Sequence, residues 1–489
     1  MKTRLSALVL LLGVVVVAPS ASAASTVDNR QDAFPISWQP CADKPEVKCS
    51  SMRVPLNWAQ PRGEKISLAL ARHPATNPER RVGALFVNPG GPGGSGVQIA
   101  TYAELFLSAE LLARFDIIGV DPRGVAGSTP ISCRVPESEP GYTLFPRTET
   151  QFEQMVRHNR ALGLGCLEQT GQLLRHVDTV SVARDHEAVR IGLGERRFNY
   201  LGLSYGTQIG ANYAELFPQR VRTMVFDAAL DHSATTLGLL ADEIATEEDA
   251  FNRFAEWCRT TSTCALAGQD VARVYDELVA RADASPIPVV GADHPVTGAD
   301  IRLTTPPYLE FKEATAFAPI SGWHQLGAAI RDTLAGDASA FAFPQLQSGT
   351  HPFFGQLANA CQDYAVEVRT FADMQRRIQL GRHLAPHLQG GSQSWLINSC
   401  IGWPVPPANP PRALNVRGVP PVLIVNATHD SNTGYKWAHV VAGQIRGSVV
   451  LTREGDGHTS YFTSPCARNI VDRYLIDRVV PGPSQVCTD

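Results

Sequence analysis

The stretch Asn199-Tyr200-Leu201-Gly202-Leu203-Ser204-Tyr205-Gly206-Thr207-Gln208 constrains this chain more than any other. Apolar and aromatic residues run up to Gly202, and residues 209–217 repeat apolar positions at helical spacing. The stretch therefore reads as strand, sharp turn, helix. Gly202 and Gly206 flank Ser204 at two positions on either side, where so tight a bend leaves no room for a side chain. A turn of this kind lifts a serine hydroxyl off the end of a sheet strand, with the next helix's N-terminus beneath it. The pentapeptide alone is a weak signal, because small residues co-occur by chance; the flanking patterns give it weight.

A serine hydroxyl is a poor nucleophile near neutral pH. It needs a base within hydrogen-bond reach, and the base needs an orienting carboxylate. On a strand–turn–serine scaffold the chain order is serine, acid, histidine. Asp430 follows the apolar run 419–426, and His458 follows the last strand pattern, 448–452, in the loop Glu454-Gly455-Asp456-Gly457-His458. The roles that follow are Ser204 as nucleophile, His458 as proton shuttle and Asp430 as the group fixing the histidine tautomer. Asp227 also ends a strand pattern and competes as the acid. His429 and His439 compete as bases, but neither follows the last strand.

A buried-strand run at 82–88 ends in Pro89-Gly90-Gly91-Pro92-Gly93-Gly94-Ser95-Gly96. Such a loop can cradle phosphate, but it lacks the Gly-Lys-Ser/Thr ending of a nucleotide loop. The better reading is an oxyanion loop: backbone N–H of Gly90 or Gly91, with that of Tyr205, facing a substrate oxygen. Asp121 and Arg123, past the strand at 115–120, read as braces of their own loop.

Strand and helix patterns alternate along most of the chain. Strands are expected at 52–54, 65–72, 82–88, 115–120, 198–203, 223–227, 419–426 and 448–452. Helices are expected at 97–112, 149–162, 179–193, 209–216, 435–444 and 465–479. From 235 to about 404 the alternation stops and helical spacing dominates. The expectation is an α/β fold with a mostly parallel sheet covered on both faces. Its core is formed by 24–234 and 405–489, and 235–404 is an inserted helical cap.

Residues 1–23 read as a signal peptide: Lys2 and Arg4, an apolar run at 5–18, and the small-x-small site Ala21-Ser22-Ala23. The run is shorter than the roughly 20 residues of a membrane span, so stable membrane insertion is not expected, and a secreted protein is. The chain carries ten cysteines, which in an exported protein imply disulfides. Sequence proximity pairs Cys41 with Cys49, Cys133 with Cys166, Cys258 with Cys264, Cys361 with Cys400 and Cys466 with Cys487, although spacing alone does not fix connectivity. No metal-ligand spacing is present, and no cofactor is expected. The net charge of −4 with no basic tract argues against a nucleic-acid partner.

With Asn88-Pro89-Gly90-Gly91-Pro92-Gly93, Asp121-Pro122-Arg123-Gly124, Gly202-Leu203-Ser204-Tyr205-Gly206-Thr207, Asp430 followed by Trp437-Ala438, Gly457-His458-Thr459, and the closing Cys466 and Cys487, the chain resembles the secreted actinobacterial tripeptidyl aminopeptidases. These sit within the proline-iminopeptidase-like α/β-hydrolases, and the resemblance covers residues 38–489. It implies an α/β-hydrolase fold and a serine hydrolase removing short peptides from a free N-terminus. The alternative is a secreted esterase, lactonase or amidase acting on a small molecule; a binding protein on an inactive scaffold is disfavoured by the intact Ser204, Asp430 and His458. The resemblance also implies a cap carboxylate that reads the substrate's amino group. Asp363 looks like the matching position, with Glu310 and Glu313 as weaker candidates. The loop Asp430-Ser431-Asn432-Thr433-Gly434-Tyr435 departs from the family, whose members usually carry prolines there.

Overall fold

The strands, in chain order, are β1 (Gln39–Pro40), β2 (Lys48–Pro55), β3 (Lys65–His73), β4 (Gly83–Asn88), β5 (Phe115–Val120), β6 (Ser132–Cys133), β7 (Phe198–Leu203), β8 (Val221–Asp227), β9 (Gly349–Thr350), β10 (Leu423–His429), β11 (Val449–Asp456) and β12 (Val486–Cys487). They belong to a computed structural model that describes residues 35–289, 295–315, 322–342, 346–390, 392–482 and 484–488. The expected signal peptide lies outside the described residues. Ten strands form one sheet in the order β1-β2-β3-β5-β4-β7-β8-β10-β11-β12, and β6 pairs with β9 separately. Pairing from β5 through β4, β7, β8, β10 and β11 to β12 is parallel. β1, β2 and β3 add an antiparallel edge.

The order explains where a site forms. After β4 the chain moves outward to β5, then crosses back to place β7 on the other side of β4. Loops leaving β4 and β7 therefore part in opposite directions, and the crevice between them opens at the strands' carboxyl ends. Register sets Asn88 beside Gly202, so the glycine loop and the serine turn start side by side.

Alternation along the buried strands feeds two cores. Phe86, Tyr200 and Phe226 point to one face and pack with Ile209, Tyr213 and Trp437. Leu85, Val87, Leu201, Leu203 and Val225 point to the other and pack with Ile99, Leu111, Val471 and Leu475. Among the described residues, the regular elements between β8 and β10 are helices apart from β9. The helices Thr236–Thr260, Val271–Ala284 and Trp323–Leu334 share a core of their own around Phe251, Phe254, Tyr275 and Trp323. The helix Pro352–Asp363 does not join that core: Phe354, Leu357 and Ala358 pack into the sheet's own cluster.

The helix expected at 149–162 continues to Thr170 and the strand expected at 52–54 spans Lys48–Pro55; two further elements differ in kind or start. Residues 97–112 form no single helix but three short ones, Gly96–Thr101, Ala103–Phe106 and Ala109–Arg114. Ser95 and Ser108 each accept a hydrogen bond from a backbone N–H three residues on, so the stretch contains a second helix start. The strand expected at 419–426 begins at Leu423, because Pro420 and Pro421 have no N–H to give the ladder.

All ten cysteines are paired, as Cys41–Cys49, Cys133–Cys166, Cys258–Cys264, Cys361–Cys400 and Cys466–Cys487. Among the described residues no helix is long and apolar enough to cross a membrane.

Candidate active site

Ser204 follows β7 directly and holds φ +53°, a left-handed conformation that a serine adopts only under strain. Its amide donates to the Asp227 carbonyl at 2.9 Å, and its carbonyl accepts from the Thr207 amide and hydroxyl. A Cβ on Gly202 would stand 2.6 Å from the Gly206 carbonyl oxygen, so the bend excludes any larger residue there. The same strain recurs at Ala228 and Thr459, both at positive φ and each next to a residue at the sheet's carboxyl edge.

Asp430 follows directly on β10 and is buried. Its Oδ1 accepts from the amides of Asn432 and Thr433 and lies 2.8 Å from Nδ1 of His458; its Oδ2 accepts from the Thr433 hydroxyl. The Asp430–Thr433 turn thus holds the carboxylate through its own backbone, without the expected prolines. His458 is buried at 5% exposure. Burial disfavours its charged form, but Asp430, by charge and hydrogen bond, then Glu310 and Asp227 outweigh burial and raise its pKa above the usual histidine value.

Ser204 and His458 line one cavity of about 470 Å³, together with Gly90, Gly91, Tyr205, Asn432 and Thr433. A Cβ on Gly90 would stand 2.8 Å from that of Ser204 and 3.0 Å from the Tyr205 nitrogen, so only glycine lets the two loops meet. The Gly90 amide already donates to Asn88 Oδ1 at 2.9 Å. A larger cleft of about 610 Å³ beside Arg147, Arg302 and Arg382 contains none of the expected site residues.

The rival groups are engaged elsewhere. The Asp227 carboxylate accepts the amides of Ser460 and Tyr461, tying the loop beyond His458 to the end of β8; burial lifts its pKa to about 6. His429 contacts Asp249 at 2.8 Å, and the His439 ring stacks edge-on against Tyr435. Asp121 accepts from Ser95 and from the amides of Val97 and Gly127. Arg123, fully buried, grips Asp185 with two nitrogens and also donates to the carbonyls of Pro55, Leu56 and His176.

Asp363 requires a correction: it does not line the cavity and has no exposed surface. Its Oδ1 accepts from the Thr179 amide at 3.0 Å and from Asn409 Nδ2 at 2.9 Å; its Oδ2 accepts from the Thr179 and Tyr205 hydroxyls. Four donors leave no capacity for a substrate ammonium. The physical reason is packing: Gln356 on the same helix lines the cavity, but the helix's last turn, which carries Asp363, is packed into the sheet's core beside Ala358, Ala360 and Cys361.

Two other carboxylates do line the cavity. Glu310 lies beside His458, whose amide donates to the Glu310 carbonyl at 2.6 Å. Its side chain accepts from Asn432 at 2.9 Å, and burial raises its pKa. Glu243, from the helix Thr236–Thr260, is 2% exposed, and its Oε2 has no hydrogen-bond partner among the described residues. Burial first, then the nearby Glu247 and Asp242, push its pKa well up. Sequence reading passed over Glu243 because an acid on an acid-rich helix looks like a solvated face.

A family profile described as "TAP-like protein" matches residues 386–487. The chain is 33% identical over 483 residues to serine protease Hip1 of Mycobacterium tuberculosis, covering 93% of this chain and 91% of that one. It is 31% identical over 473 residues to the tripeptidyl aminopeptidase of Streptomyces coelicolor, covering 90% and 84%. A protein named carboxylesterase B from Mycobacterium tuberculosis is 31% identical over 486 residues, covering 92% and 89%.

Proposed function

The chain belongs to the family of TAP-like α/β-hydrolases, and on that basis we propose that it is a secreted serine peptidase that releases short peptides from a free N-terminus. In this reading His458 takes the Ser204 proton as the hydroxyl oxygen attacks the scissile carbonyl. Asp430 keeps the other ring proton on Nδ1 and stabilises the imidazolium. The amides of Tyr205 and Gly91 hold the oxyanion, the Gly90 amide being already bonded to Asn88. The protonated histidine then gives its proton to the leaving amine, and water releases the acyl group by the same route.

One observation carries the peptidase reading: Glu243, buried and with a free carboxylate oxygen, shares the cavity with Ser204 and His458. An ammonium entering this cavity loses water and needs an anion to replace it; burial and the neighbouring acids favour neutral Glu243 in the empty cavity, and the arriving positive charge is what favours its ionised form. Glu310 is a second acid lining the cavity. The names of the Hip1 and aminopeptidase relatives agree with this reading. Five disulfides support an oxidising, extracellular setting.

The test compares matched tripeptidyl, aminoacyl and short-chain acyl chromogenic substrates, with free and acylated N-termini, on wild type and Glu243→Gln. Blocking the amine should cost more than tenfold in kcat/KM, from the roughly 2–5 kcal/mol lost when one partner of a desolvated charge pair is removed. Glu243→Gln should cost a similar amount on free-amine peptides and leave a neutral ester nearly untouched. Equal cleavage of blocked and free peptides would remove the reading. A second reading, an esterase acting on a small molecule, draws support from the apolar walls formed by Phe106, Leu230, Leu239, Phe311 and Phe462 and from the carboxylesterase relative. The same panel decides it: a preference for the neutral acyl substrate favours the esterase.

A further inference from the structure

We propose that Asp363 is a positioning residue for the oxyanion: it anchors the Tyr205 side chain so that the Tyr205 backbone N–H stays aimed at the developing charge. This rests on the hydrolase reading above and adds to it a group that lies outside the cavity.

The amide in question belongs to the peptide joining Ser204 to Tyr205. On one side it is fixed by Ser204, held at φ +53° with its own amide on the Asp227 carbonyl. On the other side it depends on Tyr205, which caps the helix Gly206–Leu216 without a side-chain capping bond. The Tyr205 hydroxyl donates to Asp363 Oδ2 at 2.7 Å. The ring is 4% exposed, so this buried bond is not in competition with water.

The anchor is itself held from several segments. Thr179, at the start of the helix Thr179–Gly192, donates amide and hydroxyl to Asp363, and Asn409 donates from the run before β10. His232, just past β8, contacts the Asp363 carbonyl through Nε2 at 2.7 Å. Gln208, one turn along the helix that Tyr205 caps, donates to the Thr179 hydroxyl at 3.3 Å and accepts from Tyr364, a cavity-lining residue. The Cys361–Cys400 disulfide ties down the last turn of the Asp363 helix. A carboxylate is required here because four donors converge on its two oxygens. Asparagine offers a single acceptor oxygen and turns an NH₂ toward two of those donors. A strained turn next to a reacting serine persists only when its surroundings over-determine it, and Asp363 supplies that determination from behind.

The test uses Asp363→Asn, Tyr205→Phe and the double variant, with the methyl ester of a cleaved free-amine tripeptide and its thionoester counterpart. Sulfur is larger and sits farther from carbon than oxygen, so a well-aimed donor pair rejects the thionoester, and a loosened pair rejects it less. Each single variant should lower kcat on the oxoester about tenfold or more with KM within about twofold, and the oxo/thiono rate ratio should fall. The double variant should fall no more than about twofold below the more impaired single variant, because the shared Tyr205–Asp363 bond is already absent in each single variant. An unchanged ratio, additive losses or a change confined to KM would overturn the inference. If Asp363→Asn does not yield folded protein, Tyr205→Phe decides the matter by the same ratio, since it keeps the ring and loses only the hydroxyl. Wild-type protein that turns over no acyl substrate defeats the hydrolase reading instead, a distinct outcome.

Discussion

Oδ1 of Asp430 lies 2.8 Å from Nδ1 of His458 and accepts two backbone amides of its own turn, from Asn432 and Thr433. Asp227, the other acid at a strand end, instead spends its carboxylate on the amides of Ser460 and Tyr461. The two acids should therefore fail differently. Asp430→Asn should lose on the order of 10⁴ in turnover, because the histidine is held in the wrong tautomer. Asp227→Asn should lose far less turnover but about 1–3 kcal/mol of stability, since an NH₂ then faces a buried N–H donor where an oxygen accepted it. Steady-state kinetics and denaturant melts of the two variants check the pair, and a reversed pattern would exchange their roles.

Ser204 at the strained turn is the proposed nucleophile. Ser204→Ala should reduce turnover by roughly 10⁴–10⁶, and a phosphonate or sulfonyl fluoride should label the Ser204 peptide of wild type alone. Retained activity in the alanine variant would contradict the acyl-serine route.

The pH dependence follows from the raised pKa of His458. The base works only when neutral, so kcat/KM should fall as pH drops through the folded-state value, and the acid limb should lie above the ordinary 6.5. Glu310 is one of the charges that raise it. Removing that charge makes the imidazolium less favourable, so Glu310→Gln should move the limb to lower pH. The same shift acts on stability: its contribution is fully present below about pH 6.5 and fades as pH rises through the folded value. Profiles of kcat/KM for both proteins test the direction, and an upward or absent shift would mean that Glu310 is not ionised beside the ring.

Arg123 and Asp185 form a pair with both side chains out of water, 0% and 1% exposed. Truncation to Arg123→Met should cost about 3–5 kcal/mol because it strands a buried carboxylate. KM of the folded fraction should hold, since neither residue lines the cavity. Thermal melts alongside kinetics distinguish this brace from a catalytic role, which would instead lower kcat at unchanged stability.

The sequence by itself determined what local pattern and chain order control. The serine turn, the glycine loop, the mostly parallel sheet, and Asp430 and His458 just past the ends of β10 and β11 were readable because hydrophobic periods mark strand ends and glycines mark bends. The cysteine pairs were readable from proximity. Caps and prolines were also present in the sequence, yet the split of the 97–112 helix and the late start of β10 were missed because apolar periodicity outweighed them. What only the tertiary structure decided is which acids are buried, and against what. Asp363 and Glu243 are both acids in the helical stretch between β8 and β10, and nothing local distinguishes them. Packing of Pro352–Asp363 into the sheet's core surrounds Asp363 with four donors. Packing of Thr236–Thr260 puts Glu243 on the lining of the cavity that Ser204 shares, with Oε2 without a hydrogen-bond partner among the described residues. A carboxylate's role depends on the donors and solvent around it, and those are set by contacts between segments far apart in the chain.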